Sequence, residues 1–202
     1  MTDNIAEPTG IQHRLSRGAV PAHIAQVAGA LRGLRVGGVD IVPSYPLGSM
    51  TPFGSGAVLV PWPNRIRDGV WSLHGDPTYQ LAITEPKLHN AIHGLLRYTP
   101  YDVESSSEDA IVLSAKVFPQ AGYPFSLDTA VEYRLTDDGI EVTHTLANTG
   151  AEAAPVAVGV HPFFTIGDVD PADLVLTLPV TGTILNVDRH TYRVPADLRR
   201  WL

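Results

Sequence analysis

Leu127-Asp-Thr-Ala-Val-Glu-Tyr-Arg-Leu-Thr-Asp-Asp-Gly-Ile-Glu-Val-Thr-His-Thr-Leu-Ala-Asn148 is the stretch that decides the fold. Leu127, Thr129, Val131, Tyr133 and Leu135 recur at every second position and so share one face of an extended strand. Asp137-Asp138-Gly139 then supplies turn chemistry, with glycine free to take the positive φ of a tight loop. Ile140, Val142, His144 and Leu146 resume the alternation. Two alternating runs about one polar turn make a β-hairpin.

The same period extends in both directions. Strands are expected at residues 79–83, 110–118, 155–164 and 173–180, the last with Leu174, Leu176, Leu178 and Val180 alternating. Asn148-Thr149-Gly150, Gly167-Asp168 and Thr181-Gly182 are the turn signals between them. Residues 20–42 have the Ala and Leu content of a helix, but Gly29, Gly33, Gly37 and Gly38 interrupt them. Each glycine costs about 1 kcal/mol in a helix interior, so two short strands are expected there instead. No interior stretch carries a sustained 3.6-residue period. The fold class predicted is all-β, a sandwich or barrel of mainly antiparallel sheets. Residues 1–20 read as a partly ordered N-terminal tail and 21–202 as one domain.

Composition narrows the functions. The chain has 202 residues, 44% of them hydrophobic, enough for one sizeable core. Its 18 glycines and 17 prolines suit many strands joined by tight turns. A formal net charge of −7, with no basic cluster beyond Arg65/Arg67 and Arg199/Arg200, predicts no nucleic-acid partner and no anionic membrane. The absence of cysteine excludes disulfides, thiolate metal sites and cysteine nucleophiles. The polar start Met1-Thr-Asp-Asn-Ile-Ala-Glu-Pro-Thr-Gly10 lacks the apolar core of a secretory signal, so a cytoplasmic protein is expected. The chain ends on Asp197-Leu-Arg-Arg-Trp-Leu202, an apolar end that predicts a fold continuing past it; a C-terminal strand docked on the sheet is the alternative.

Three segments are richer in polar and aromatic chemistry than a structural β-protein needs. In Val60-Pro-Trp-Pro-Asn-Arg-Ile-Arg-Asp-Gly69, Pro61 and Pro63 stiffen a loop that presents Asn64 and Arg65. Asn offers donors and an acceptor, and Arg a fixed fork of donors, which suits a polar ligand; an arginine solvated at a loop tip is the plainer alternative. In Glu85-Pro-Lys-Leu-His-Asn-Ala-Ile-His-Gly94, His89 and His93 stand four apart, the spacing of two metal ligands on a helix. Pro86 and Gly94 bracket the segment and no third ligand follows at motif spacing, so no metal site is expected. In Gly159-Val-His-Pro-Phe-Phe164, His161 follows an apolar run and precedes Phe163 and Phe164. Its residue type titrates near neutrality, as a general acid must; a histidine bonded to backbone is the structural alternative.

Taken in order, Pro63-Asn-Arg-Ile-Arg-Asp-Gly69, Asn90-Ala-Ile-His-Gly94, Gly122-Tyr-Pro-Phe125 and His161-Pro-Phe-Phe164 resemble the aldose 1-epimerase (galactose mutarotase-like) family, from about residue 25 onward. The resemblance implies a large antiparallel β-sandwich, a supersandwich, incomplete at its C-terminus here. It implies interconversion of the α and β anomers of an aldose, with no metal or organic cofactor. By position it makes His161 the general acid at the ring oxygen, and Asn64, Arg65 and His93 substrate-binding residues. Phe163 stands where galactose-processing members often carry Tyr, so strict galactose preference is not implied. The general base of the family, a Glu near the C-terminus, and the substrate-binding Asp before it fall beyond residue 202. Weak or absent turnover by this chain, and self-association through uncovered strands, are therefore expected. A non-catalytic carbohydrate-binding domain and a hexose-6-phosphate epimerase are the alternative readings.

Overall fold

The computed structural model describes residues 7–73, 75, 77–175, 177, 185–186 and 192–193. Four strands open the chain: β1 (Gln12–Arg17), β2 (Val20–Ala25), β3 (Ala30–Val36) and β4 (Val39–Val42). They form an antiparallel sheet in sequential order. Short strands follow: β5 (Val58–Leu59), β6 (Arg65–Arg67), β7 (Val70–Ser72), β8 (Thr78–Gln80) and β9 (Asn90–Ile92). A second antiparallel sheet is built from β10 (Asp102–Ser106), β11 (Ala110–Val117), β12 (Leu127–Leu135) and β13 (Ile140–Asn148), again in sequential order. The chain then returns as β14 (Gly159–Val160) to pair with β5. A separate unit starting at residue 172 contains β15 (Leu185–Asn186) and β16 (Tyr192–Arg193), antiparallel to each other.

The hairpin read from the sequence is β12–β13, with Leu127 opposite Asn148 and Leu135 opposite Ile140. Its alternation does what the period requires. Leu127, Thr129, Val131, Tyr133 and Leu135 are buried, while the residues between them are half-buried or exposed. Leu127, Val131, Tyr133 and Leu135 join Leu15, Val20, Ala22 and Ile24 of the first sheet in one hydrophobic cluster, the core of a β-sandwich. A buried hydrogen bond ties the two sheets: the Tyr133 hydroxyl donates to the Gly29 carbonyl at 2.7 Å. β13 is an edge strand, and its inward set is covered less well. Ile140, His144 and Leu146 are half-buried and Val142 is exposed.

Several boundaries differ from the expectations. Residues 20–42 hold three strands, because Gly29 and the Gly37-Gly38 pair serve the turns while Gly33 lies inside β3. The first sheet starts at Gln12, within the stretch read as a tail. Residues 155–164 make ladder pairs only at Gly159 and Val160. The expected strand at 173–180 and the Thr181-Gly182 turn fall largely or wholly outside the described residues. Among the described residues no helix is long and apolar enough to cross a membrane.

Candidate functional site

The Pro-rich loop and the His-rich segment are distant in sequence and adjacent in space because β6 pairs with β9, Arg65 opposite Ile92 and Arg67 opposite Asn90. Beyond the end of this ladder Asn64 and His93 close a ring of two hydrogen bonds. The His93 amide donates to the Asn64 carbonyl at 2.8 Å, and the Asn64 amide donates to His93 Nδ1 at 3.1 Å. An Nδ1 that accepts from a backbone N–H carries no proton, so the neutral ring holds its hydrogen on Nε2. Burial, reinforced by the neighbouring His161, Arg97 and Arg65, pushes His93 down to about 4. His93 is thus a neutral Nε2–H donor at physiological pH.

Asn64 and His93 reach these positions with positive φ, 60° and 64°. Asp68, His89 and Phe53 share the left-handed conformation, leaving Ala28 as the one other such non-glycine among the described residues. Concentrated left-handed backbone of this kind is a mark of functional segments. Gly94, next in line, has φ +70°, and a Cβ there would lie 2.2 Å from the Val60 carbonyl oxygen. The close approach of the two segments therefore depends on glycine.

Arg65 is held by Glu85. Its Nη2 donates to Oε1 at 2.6 Å and its Nε to Oε2 at 2.7 Å, a two-pronged pair with side chains 26% and 19% exposed. Asn90 Nδ2 adds a third bond to Glu85 at 2.9 Å. The Arg65 fork, helped by Asn90, outweighs burial and holds the Glu85 carboxyl down at about 2. Arg65 Nη1 donates to Asn64 Oδ1 at 3.4 Å.

β14 delivers His161. The Gly56 amide donates to the His161 carbonyl at 2.7 Å, and the His161 amide to the Ala57 carbonyl at 3.1 Å. The strand can press against the Pro-rich loop because Gly159 lacks a side chain; a Cβ there would stand 2.6 Å from Pro63 Cβ. The imidazole meets His93 edge-to-face, ring centroids 5.1 Å apart, and Phe163 edge-to-face at 5.4 Å.

These side chains line one cavity of about 350 Å³, which Arg65, Glu85, His93 and His161 share with Thr51, Phe53, Gly54, Leu59, Ile92, Arg97 and Tyr98. Of the four residues singled out in the sequence, Arg65, His93 and His161 line it directly. Asn64 borders it through its bonds to both Arg65 and His93. His89 is turned elsewhere, with Nδ1 3.0 Å from Asp68 Oδ1 at the surface. Sequence reasoning gave Glu85 no role and missed Arg97, Tyr98 and the turn at Thr51–Gly54. Glu85 directly before Pro86 was the one available signal; the others had none. Chemically the cavity offers the Arg65 guanidinium fixed by Glu85, a second guanidinium on Arg97, a neutral imidazole donor and a second imidazole, a set rich in hydrogen-bond donors.

Residues 12–191 match the family model described as aldose 1-epimerase. The uncharacterized protein YihR of Escherichia coli strain K12 is 34% identical over 177 residues, 87% of this chain and 57% of YihR. A solved structure from Escherichia coli K12 shares the fold at 23% identity with a TM-score of 0.66, covering 76% of this chain and 52% of its own. A galactose mutarotase-like protein from Clostridium acetobutylicum is similar at 26% identity and a TM-score of 0.65, over 75% of this chain and 49% of that one. The chain thus spans about half the length of the relatives it matches. With the model matching nearly from end to end on a galactose mutarotase-like β-sandwich, the chain belongs to the aldose 1-epimerase family.

Proposed function

We propose that this chain binds an aldose in the cavity between Arg65, His93 and His161, and that the activity is interconversion of α and β anomers by acid–base ring opening. The observation that carries the reading is the convergence of three segments, distant in sequence, on one cavity whose volume admits a hexopyranose. Opening a cyclic hemiacetal needs a proton delivered to the ring oxygen and one removed from the anomeric hydroxyl. Rotation about C1–C2 then presents the other carbonyl face, and the ring recloses. His161 is the general acid in this scheme. His93, neutral with hydrogen on Nε2, donates to a sugar oxygen, and Arg65, its plane fixed by Glu85, holds hydroxyls. Asn64 keys the two by bonding both. Donors fixed before the sugar arrives lower the cost of orienting it.

The base half of the reaction is weakly served. Glu85 is the one carboxylate among the described residues lining the cavity, and a carboxyl held at about 2 is a poor proton acceptor at neutral pH. That supports weak turnover by this chain, and it favours a second reading, sugar binding without catalysis. Polarimetry separates them: mutarotation of α-D-glucose, α-D-galactose and α-D-glucose 6-phosphate is followed with the native chain and with His161→Ala. Acceleration that falls about 100-fold in His161→Ala supports the enzyme reading. Saturable binding with no acceleration supports the binding reading. Neither binding nor acceleration overturns both.

A further inference from the structure

Phe53 is 89% exposed, the most exposed large hydrophobic side chain among the described residues, and it stands at the cavity that holds Arg65, His93 and His161. Its backbone is left-handed, φ 50° and ψ 22°, in the short 3₁₀ turn Pro52–Gly54. An aromatic residue is disfavoured in that conformation and a glycine is not. The fold thus gains nothing evident from Phe53: its ring is bare and its backbone strained.

The turn is nevertheless well anchored. The Ser55 amide donates to the Pro52 carbonyl at 2.8 Å, and Gly56, next along, donates to the carbonyl of His161 itself at 2.7 Å. The ring is therefore carried on a segment tied to the backbone of His161. Tyr98, 63% exposed and covered by the Arg97 guanidinium 4.7 Å from its ring centroid, is a second accessible aromatic at the same cavity.

An aldopyranose has two kinds of surface, a hydroxyl edge and a face of C–H groups. The imidazole and guanidinium donors suit the first; an exposed aromatic ring suits the second. We propose that Phe53 is a sugar-binding residue whose ring stacks on the C–H face of a bound aldopyranose. The inference rests on the sugar reading of the cavity and adds a specificity to it: a closed ring is preferred over an acyclic polyol, which has no such face.

The test is an NMR titration of the whole protein with D-glucose, D-galactose and the acyclic polyol D-glucitol, using the native form and Phe53→Ala, Phe53→Tyr and Phe53→Gly. Phe53→Ala is expected to weaken aldose binding about fivefold to tenfold, and Phe53→Tyr to stay within about twofold of native. Phe53→Gly is expected to weaken binding as Ala does while raising Tm, because it relieves the left-handed strain. A residue that merely supported the fold would lower Tm. D-Glucitol is expected to bind native and Phe53→Ala alike. Native-like aldose affinity in Phe53→Ala, an equal loss in Phe53→Tyr, or a lowered Tm in Phe53→Gly overturns the stacking role and leaves the sugar reading standing. No saturable aldose binding by the native protein overturns the sugar reading, and this inference with it.

Discussion

Replacing Glu85 with glutamine keeps the size and one acceptor oxygen of the side chain but removes its charge, as protonation would. The native carboxylate takes two bonds from Arg65, at 2.6 and 2.7 Å, and one from Asn90 at 2.9 Å. Those contacts carry its pKa from an ordinary 4.5 to about 2. At 1.36 kcal/mol per pH unit, the charged form is worth about 3 kcal/mol of folding free energy at neutral pH. The direction follows from proton counts. Between pH 4.5 and 2 the unfolded chain holds the proton and the folded chain does not, so this stability is full above that window and lost as pH falls through it. Urea unfolding of the native chain and Glu85→Gln is therefore expected to differ by about 3 kcal/mol at pH 7, with the gap narrowing by about 2 kcal/mol at pH 3. A gap below 1 kcal/mol at pH 7, or one that does not change with pH, would refute the reasoning. In the first case the pair is no more than a solvated surface contact.

Three further outcomes follow from the same geometry. Nitrogen-15 NMR of the histidines is expected to find His93 with hydrogen on Nε2 and a midpoint near 4, so that folding stability also falls as pH drops from 6.5 toward 4; a midpoint near 6.5 contradicts the Asn64–His93 ring. Tyr133→Phe strands the buried Gly29 carbonyl and is expected to cost about 1–2 kcal/mol, read as a lower urea midpoint with unchanged slope. Gly94→Ala, which drives a Cβ to 2.2 Å from the Val60 carbonyl oxygen, is expected to lose several kcal/mol or fail to accumulate in soluble form; a native midpoint contradicts the close approach.

The long strands were legible because their period acts along the whole element. Five alternating residues in β12 have only one way to bury a face, and turn residues bound the run. The three-residue strands β6, β7 and β9 carry no period at all, so the pairing that joins Arg65 to Ile92 could not be read. Nor could β10, whose Asp102-Val-Glu-Ser-Ser106 is exposed at every position and paired through its backbone. Glycine misled where content stood in for placement. Gly33 lies within a strand, and the true turns at Gly29 and Gly37 yield three strands where two were expected. In the site, residue chemistry pointed to Asn64, Arg65 and His161, and the family resemblance added His93 and gave the four their roles. The partners that set their chemistry are products of the fold: Glu85 lies 20 residues from the arginine it clamps. The Asn64 amide that sets the His93 tautomer lies 29 residues from that ring.

The central claim, that one cavity between β6, β9 and β14 is where the aldose binds, is tested most directly by mapping D-galactose and D-glucose onto the isotope-labelled protein by NMR. Saturable shifts are expected at the Arg65 side chain, the imidazoles of His93 and His161 and the Asn64 amide, with the β10–β11 edge unmoved. Saturable shifts centred anywhere else, or titration of the four residues as unrelated sites, would contradict it.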